Sequence, residues 1–444
     1  MDFCLNDMGC GKTMTAIAIM GAAYQLGAIK KGLIVAPTSV CNVWTREFEE
    51  VAAFPHQVYL LLGNQKKRMR ILEELKYSLS EGLKVAVINY ESVWREPLFE
   101  ALFNWHPDLI LADESQRIKT HNAKQSKAMH QLGDTAAYKL ILSGTPVQNE
   151  AIDLFSQYRF LNPAVFGTNF YAFRNRYAVM GGFENKQIVG YKDLDQLIQK
   201  EHQIAYRVTK EEALDLPEQT FLIQKVPLPE KERRIYDQLR RDSFVALESG
   251  GAMTAPTVLT KLLRLQQFTG GFLPMDDSGG QQKFVFQGKR DALADLLDDY
   301  VLNEKKKLVV FCRFRLEMDL IQSLLEKKKI LYRRIDGETP IAHRGALVAD
   351  FQNRLEIKVF LAQIDTAGLG ITLTAASTCV YYSVNFNYAA YAQSLARIHR
   401  IGQRNVCTYI HLAAEGTVDE MVLKALAKKE DLAKTIVDDW RKYF

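Results

Sequence analysis

The sequence predicts an α/β protein of two lobes, each a parallel sheet flanked by helices, with a mostly helical middle segment and a C-terminal helix. Three observations predict it. The chain has 444 residues, more than one hydrophobic core serves, so two compact domains with some elaboration are expected. Short apolar runs alternate with amphipathic stretches near the start and again beyond residue 286, the pattern of buried parallel strands and the helices that cover them. Between the two regions aromatic and charged residues mix and helical periodicity dominates. The expected division is 1–160, 161–285 and 286–444.

In the first region the runs 33–36, 85–88, 109–112 and 140–142 are strongly apolar and read as buried strands, with helical stretches between them, the earliest over 14–26. In the middle, 192–215 and 230–249 carry helical patterns. Gly250-Gly-Ala-Met-Thr-Ala-Pro256 and Pro274-Met-Asp-Asp-Ser-Gly-Gly280 read as loops. Strands resume at 308–312, 359–362, 378–382 and 406–411, with helices over 289–303, 315–329, 340–353 and 389–398. Thr417-Val-Asp-Glu420 has the spacing of a capping box, and Met421, Val422, Ala425 and Leu426 follow at helical spacing. A closing helix that packs on the second lobe, without catalytic residues, is expected.

Composition narrows the class. Apolar residues make up 48% and charged residues 25%, as in an ordinary globular protein. No apolar run approaches the roughly 18 residues of a membrane span, and the N-terminus lacks the basic flank and apolar stretch of a signal peptide. None of the six cysteines forms a C-x-x-C pair or a zinc-type cluster with histidine. Most sit in apolar, strand-like runs, so buried thiols in a reducing compartment are expected. A net charge of +5 permits a nucleic-acid partner without requiring one. Arg233, Arg234, Arg240 and Arg241 read as a solvated helix face.

The chemistry begins at Asp7-Met-Gly-Cys-Gly-Lys-Thr13, which follows a short apolar run and precedes a helical stretch. Phosphates are densely charged. Gly9 and Gly11 let backbone N–H groups approach them, and the following helix presents its N-terminus. Lys12 would reach the β- and γ-phosphates and Thr13 would ligate Mg²⁺. The strict phosphate-loop pattern has glycine six residues before the lysine, where this chain has Asn6. A glycine-rich turn with a chance Lys-Thr is the competing reading of the motif alone. The run 109–112 ends in Asp113-Glu114. Two carboxylates at the end of a buried strand suit water-mediated Mg²⁺ binding by Asp113 and orientation or deprotonation of the attacking water by Glu114. Ser143-Gly-Thr-Pro146 follows another strand and could sense the γ-phosphate; in isolation it would be only a turn.

Two segments of the last region fit the same chemistry. Gln393-Ser-Leu-Ala-Arg-Ile-His-Arg-Ile-Gly-Gln403 places Arg397 and Arg400 three apart on one helical face. Such a pair suits phosphate clamping, although a salt-bridged surface helix is the plainer alternative. Gly368-Leu-Gly370 opens a hydroxyl-bearing turn to Thr374 that could bind phosphate or a nucleic-acid backbone.

Taken together, these segments resemble helicase superfamily two, and within it the Swi/Snf-type branch, over nearly the whole chain and in family order. Asp7–Thr13 resembles motif I, 34–44 motif Ia, 87–92 motif Ib, Asp113-Glu-Ser-Gln116 the DEAH-like box, and Ser143-Gly-Thr-Pro-Val-Gln-Asn149 motif III. Arg207-Val-Thr-Lys210 through Pro217 resembles the segment between the lobes. In the second lobe, 309–313 resembles motif IV, 367–374 motif V and 393–403 motif VI. The resemblance implies two RecA-like lobes, ATP and Mg²⁺ as cofactors, catalytic roles for Asp113, Glu114, Gln393, Arg397 and Arg400, and nucleotide contacts from Gly9, Gly11, Lys12, Thr13, Gly368 and Gly370. It implies a monomeric motor that translocates on double-stranded DNA, of a remodelling or fork-annealing type, with no membrane partner. Members carry an adenine-reading segment before motif I. Six residues precede Asp7 here, so the first lobe is expected to lack its N-terminal edge. An RNA helicase of the same superfamily, or a nucleic-acid-binding module with a crippled ATPase, are the alternatives. Few insertions suggest a bacterial or phage chain acting in the cytoplasm, or in the nucleus if eukaryotic.

Overall fold

The computed structural model describes residues 2–4, 7, 9–148, 150–182, 184, 187–248, 255–274, 282–369 and 371–437. Asn6, Gly370, Asn149 and most of the two expected loops at 250–256 and 274–280 lie outside the described residues. The chain divides into two compact units. One runs to Asp215 and takes in the chain from Lys429 onward; the other is Leu216–Lys428. The segment 161–285 is therefore divided between the units rather than standing as a body of its own.

The first unit is built on a seven-stranded sheet. Its strands are β1 (Asp2–Cys4), β2 (Lys31–Ala36), β3 (His56–Leu60), β4 (Leu83–Asn89), β5 (Leu109–Asp113) and β6 (Tyr138–Leu142), joined, after a separate hairpin of β7 (Ala178–Gly181) and β8 (Gln187–Tyr191), by β9 (Ala205–Tyr206). The order is β3-β4-β2-β5-β6-β1-β9, every pairing parallel. Side chains alternate across a strand, and here both faces are covered. Leu33, Val35, Ile110 and Ile141 enter one core while Ile34, Ala36, Leu111 and Leu142 enter the other. That two-sided burial is why the strands read as continuous apolar runs. β3 escapes the same reading because it is an edge strand of half-buried residues.

The second unit repeats the plan. β10 (Gln219–Val226) precedes a hairpin of β11 (Phe272–Pro274) and β12 (Gln282–Phe284). The main sheet continues with β13 (Leu308–Cys312), β14 (Leu331–Ile335), β15 (Ile357–Gln363), β16 (Thr378–Tyr381) and β17 (Cys407–Ala414). Its order is β10-β17-β16-β13-β15-β14, again parallel. Val309, Phe311 and Tyr381 face one core, and Leu308, Val310 and Tyr382 the other. The two parallel α/β lobes expected from sequence are present.

Several local expectations differ in detail. The stretch 192–215 is one helix, Leu194–His202, followed by β9 and a single turn, Lys210–Ala213. Thr209 and Glu212 cap that turn reciprocally, so the chain restarts there instead of continuing a helix. The C-terminal helix begins at Val418 and buries Val422 and Leu426 in the second unit's core, but Met421 is exposed. Its start is held differently from the expected box: Thr417 Oγ1 accepts the Asp419 N–H at 3.3 Å and Glu420 takes the Gly416 N–H at 3.2 Å. Arg233 is not merely solvated, since its guanidinium donates to the carbonyls of Glu415 and Gly416. Arg234 and Arg240 do make only surface pairs, with Glu230 and Asp237. Cys41, Cys312, Cys379 and Cys407 are buried free thiols, Cys41 on a helix, and Cys10 is half-buried. Among the described residues no helix is long and apolar enough to cross a membrane.

Candidate active site

In the first unit, β5, β6 and β1 are neighbours, and all three run in the same direction. The chain segments leaving their C-terminal ends therefore emerge at one edge of the sheet, where open α/β sheets place ligands. Those segments carry Asp113-Glu114, Ser143 and the glycine loop respectively. Three motifs spread over more than a hundred residues meet because the strands are parallel and adjacent.

The glycine loop has the backbone that its composition anticipates. Gly9 and Gly11 adopt φ of 92° and 75°, a region that disfavours a side chain. Gly11 caps the helix Lys12–Gln25, so the N–H groups of the first turn are open to an anion. The helix buries Ala16, Ile17 and Met20 and closes in a Schellman turn. Gly27, at φ 71°, donates to the Tyr24 carbonyl and Ala28 donates to the Ala23 carbonyl, each at 2.9 Å. Lys12 Nζ donates to the Asp7 carbonyl at 3.1 Å, and Thr13 is half-buried beside it.

Asp113 is 8% exposed. Trp44, fully buried on the helix Thr38–Val51, donates its indole N–H to Asp113 Oδ2 at 3.0 Å, and the Glu114 N–H donates to Oδ1 at 2.9 Å. Tyr90 donates its hydroxyl to the Asp113 carbonyl at 2.7 Å. Burial, then the charge of Glu114, pushes the Asp113 carboxyl up to about 7, against the Trp44 hydrogen bond and the Lys12 charge. Glu114 stands at φ 50°, in the left-handed region, which a residue with a Cβ occupies at a cost that active sites tolerate. Gln116 donates its amide to Glu114 Oε2, Ser143 donates to Gln116 Oε1 at 2.8 Å, and Ser143 Oγ accepts the Thr145 N–H at 3.0 Å. A continuous hydrogen-bonded chain thus joins the acidic pair to the Ser-Gly-Thr turn. Beside it, Ser115 donates to Gln157 Oε1 at 2.7 Å, and the Gln157 amide holds the Pro146 carbonyl at 2.9 Å.

The oxygen donors suit a hard cation. Each carboxylate oxygen of Asp113 takes one hydrogen bond and keeps lone-pair capacity, and the Thr13 hydroxyl sits next to Lys12. Mg²⁺ held by these groups would neutralise phosphate charge.

The second unit holds the remaining candidates. The expected helix over 389–398 ends at Leu395, so Arg397 and Arg400 lie on the turn beyond it rather than on a helical face. The cause is visible in the backbone: the Arg397 carbonyl accepts the Leu373 N–H at 2.9 Å, drawing the chain onto the 371–374 loop. The arginines still converge, each donating to the Ile371 carbonyl at 3.4 Å. Gln403 braces the same loop through the carbonyls of Thr374, Ala376 and Ile398. Gln393 is half-buried on the helix Tyr388–Leu395, and Gly368 belongs to a 3₁₀ turn, Ile364–Leu369.

A polar support underlies this helix. Tyr381 and Ser394 share a hydroxyl–hydroxyl bond of 2.6 Å, Tyr409 donates to the Leu395 carbonyl at 2.7 Å, and Tyr391 bonds His411 Nε2 at 3.0 Å. Burial pushes the His411 imidazole down to about 4. The folded state keeps His411 neutral where the unfolded chain protonates it, so stability is lost as pH falls from 6.5 towards 4. Between pH 7 and pH 5 this group should cost about 2 kcal/mol. Denaturant titrations at both pH values should show His411→Phe losing less stability on acidification than the parent; equal losses would contradict the assignment.

Sequence reasoning placed Trp44, Gln116 and Gln403 inside motif segments but gave none of them the contacts they make. It also missed the engagement of Asp7 with the segment after β9. The Arg207 guanidinium pairs with Asp7 Oδ1 at 2.8 Å, the Lys210 N–H donates to Asp7 Oδ2 at 3.0 Å, and the Asp7 N–H donates to the Val208 carbonyl at 2.9 Å. No local pattern announces a contact across 200 residues.

Comparison with known proteins shows which family the chain resembles. A family model described as the SNF2-related domain matches residues 4–270, and one described as the helicase conserved C-terminal domain matches residues 288–402. An uncharacterized ATP-dependent helicase of Mycoplasma genitalium is 27% identical over 98% of this chain and 40% of its own length. A probable chromatin-remodeling complex ATPase chain of Oryza sativa is also 27% identical, over 98% and 39% respectively. The chain thus spans about two fifths of the length of these relatives. Among solved structures, the SWI2/SNF2 ATPase core of Sulfolobus solfataricus in complex with double-stranded DNA aligns at 25% identity, covering 98% of this chain and 88% of that one, with a TM-score of 0.43.

Proposed function

This chain belongs to the SNF2-related family, and from that premise we propose that it is an ATP-dependent motor that translocates along double-stranded DNA as a single chain. The observation that carries the reading is the convergence of the glycine loop, the Asp113-Glu114 pair and Ser143 at one sheet edge, with Glu114 joined to Ser143 through Gln116. Phosphoryl transfer asks a protein for positioning and charge more than for covalent chemistry. The loop and Lys12 would bind the phosphates, Thr13 and Asp113 would hold Mg²⁺, and Glu114 would take the proton of the attacking water. The Glu114–Gln116–Ser143 chain would pass the state of that site to the turn after β6. Arg397 and Arg400 would supply the cationic charge that the transition state demands.

The choice of duplex DNA as track rests on the motif III and motif VI resemblance and on a relative named for chromatin remodelling. Contacts to phosphates would make binding weakly sequence-dependent and strongly salt-dependent. The test is steady-state ATP hydrolysis with no nucleic acid, duplex DNA or RNA, at two salt concentrations. Stimulation by duplex that fades with salt is expected; equal stimulation by RNA would replace the reading with an RNA-directed one. Lys12→Ala should reduce stimulated hydrolysis by about 10²–10³-fold, the loss typical of removing one preorganised charge-stabilising group. A Lys12→Ala enzyme that hydrolyses ATP normally would remove the glycine loop from the mechanism.

A further inference from the structure

The nucleotide loop is tied to the chain segment that leads out of the first unit through Asp7. The Asp7 carbonyl accepts both the Cys10 N–H and the Lys12 ammonium, each at 3.1 Å. Its carboxylate and its N–H are engaged by Arg207, Val208 and Lys210. The Arg207 side chain is only 6% exposed and that of Asp7 24%, so the pair is shielded from solvent and poorly screened by salt. The segment is held on both sides of this contact. β9 pairs with β1, the strand that feeds the loop, and the Thr209–Glu212 box starts the turn that ends just before the unit boundary at Asp215.

We propose that Asp7 and Arg207 are positioning residues that couple nucleotide occupancy of the loop to the conformation of residues 207–215. The inference rests on the nucleotide-binding reading of the loop. A phosphate that engages Lys12 competes with the Asp7 carbonyl for the ammonium. Asp7 then shifts with the loop, and its carboxylate carries the shift to Arg207 and to the Lys210 backbone. The linkage is reciprocal: a conformation of 207–215 that pulls on Asp7 changes nucleotide affinity by the same factor. A rigid structural ion pair would make no such connection.

Backbone hydrogen exchange of the whole chain, with and without saturating Mg·ADP, together with direct ADP binding, tests this. In the parent, ADP should change exchange of the 207–213 amides by about fivefold or more, within the usual range for coupled sites. Arg207→Gln should still bind ADP but lose that response. Arg207→Lys, which keeps the charge without the planar fork, should fold as the parent does and show a reduced response. In a double-mutant cycle, the ADP affinities of Asp7→Asn, Arg207→Gln and the double variant should depart from additivity. If the parent binds ADP and the 207–213 amides do not respond, or the cycle is additive, the coupling is overturned while the nucleotide site stands. If the parent binds no ADP, both fall.

Discussion

Glu114→Gln should lower stimulated ATP hydrolysis by about 10²–10⁴-fold, the range for removing a general base, while ATP binding stays near the parent value. The substitution conserves volume, and Glu114 lies outside the glycine loop. Its environment defines the loss. Gln116 donates to one carboxylate oxygen and is itself oriented by Ser143, so the Glu114 carboxylate is held as an acceptor. A carboxamide can still accept from Gln116, but it then offers an N–H₂ group where a proton should be received. Single-turnover hydrolysis alongside equilibrium ATP binding separates the two effects. Loss of binding together with rate would move Glu114 from chemistry to nucleotide anchoring, and an unchanged rate would exclude it from both.

Arg397→Ala and Arg400→Ala should each cost about 10³–10⁵-fold in the hydrolytic step, the contribution of arginine charge to phosphoryl transfer in comparable enzymes. Both guanidinium groups rest on the Ile371 carbonyl. Burial draws Arg400 below its ordinary range, yet a guanidinium starts so high that it remains charged at neutral pH. Lysine at either position should not restore the rate, because an ammonium is a point charge without the planar fork. Thermal melting distinguishes a catalytic loss from a collapsed loop. A variant that melts with the parent and has lost hydrolysis supports the assignment, whereas one that melts with the parent and retains the rate refutes it. Since the arginines stand on a turn held by Gln403 and the Leu373 N–H, Gln403→Ala should weaken both contributions together.

How far the site could be read in advance depended on the distance over which each signal acts. The glycine loop is local: its glycines, lysine and helix start are written within seven residues, and the structure reproduces them with Gly9 and Gly11 at positive φ. The Asp113-Glu114 pair was legible because a two-sided buried strand leaves a long apolar run that ends abruptly in charge. The arginine turn was legible in composition but not in shape. Helical spacing suggested a continuous face, and the 371–374 loop, through one backbone hydrogen bond to Arg397, ended the helix early. The stretch 192–215 was misread for a similar reason, since β9 finds its partner in β1, some 200 residues away.

The sequence by itself determined the class of the protein, two parallel α/β lobes, and most of the chemical groups, because strand burial, glycine turns and carboxylate pairs are encoded by neighbours. Only the tertiary structure decided what holds those groups. Trp44 on Asp113, Gln116 between Glu114 and Ser143, and Arg207 on Asp7 are contacts whose partners are brought together by strand order and packing. A side chain's reach is a few ångströms, and the residues that fall within it are chosen by the fold rather than by their order along the chain.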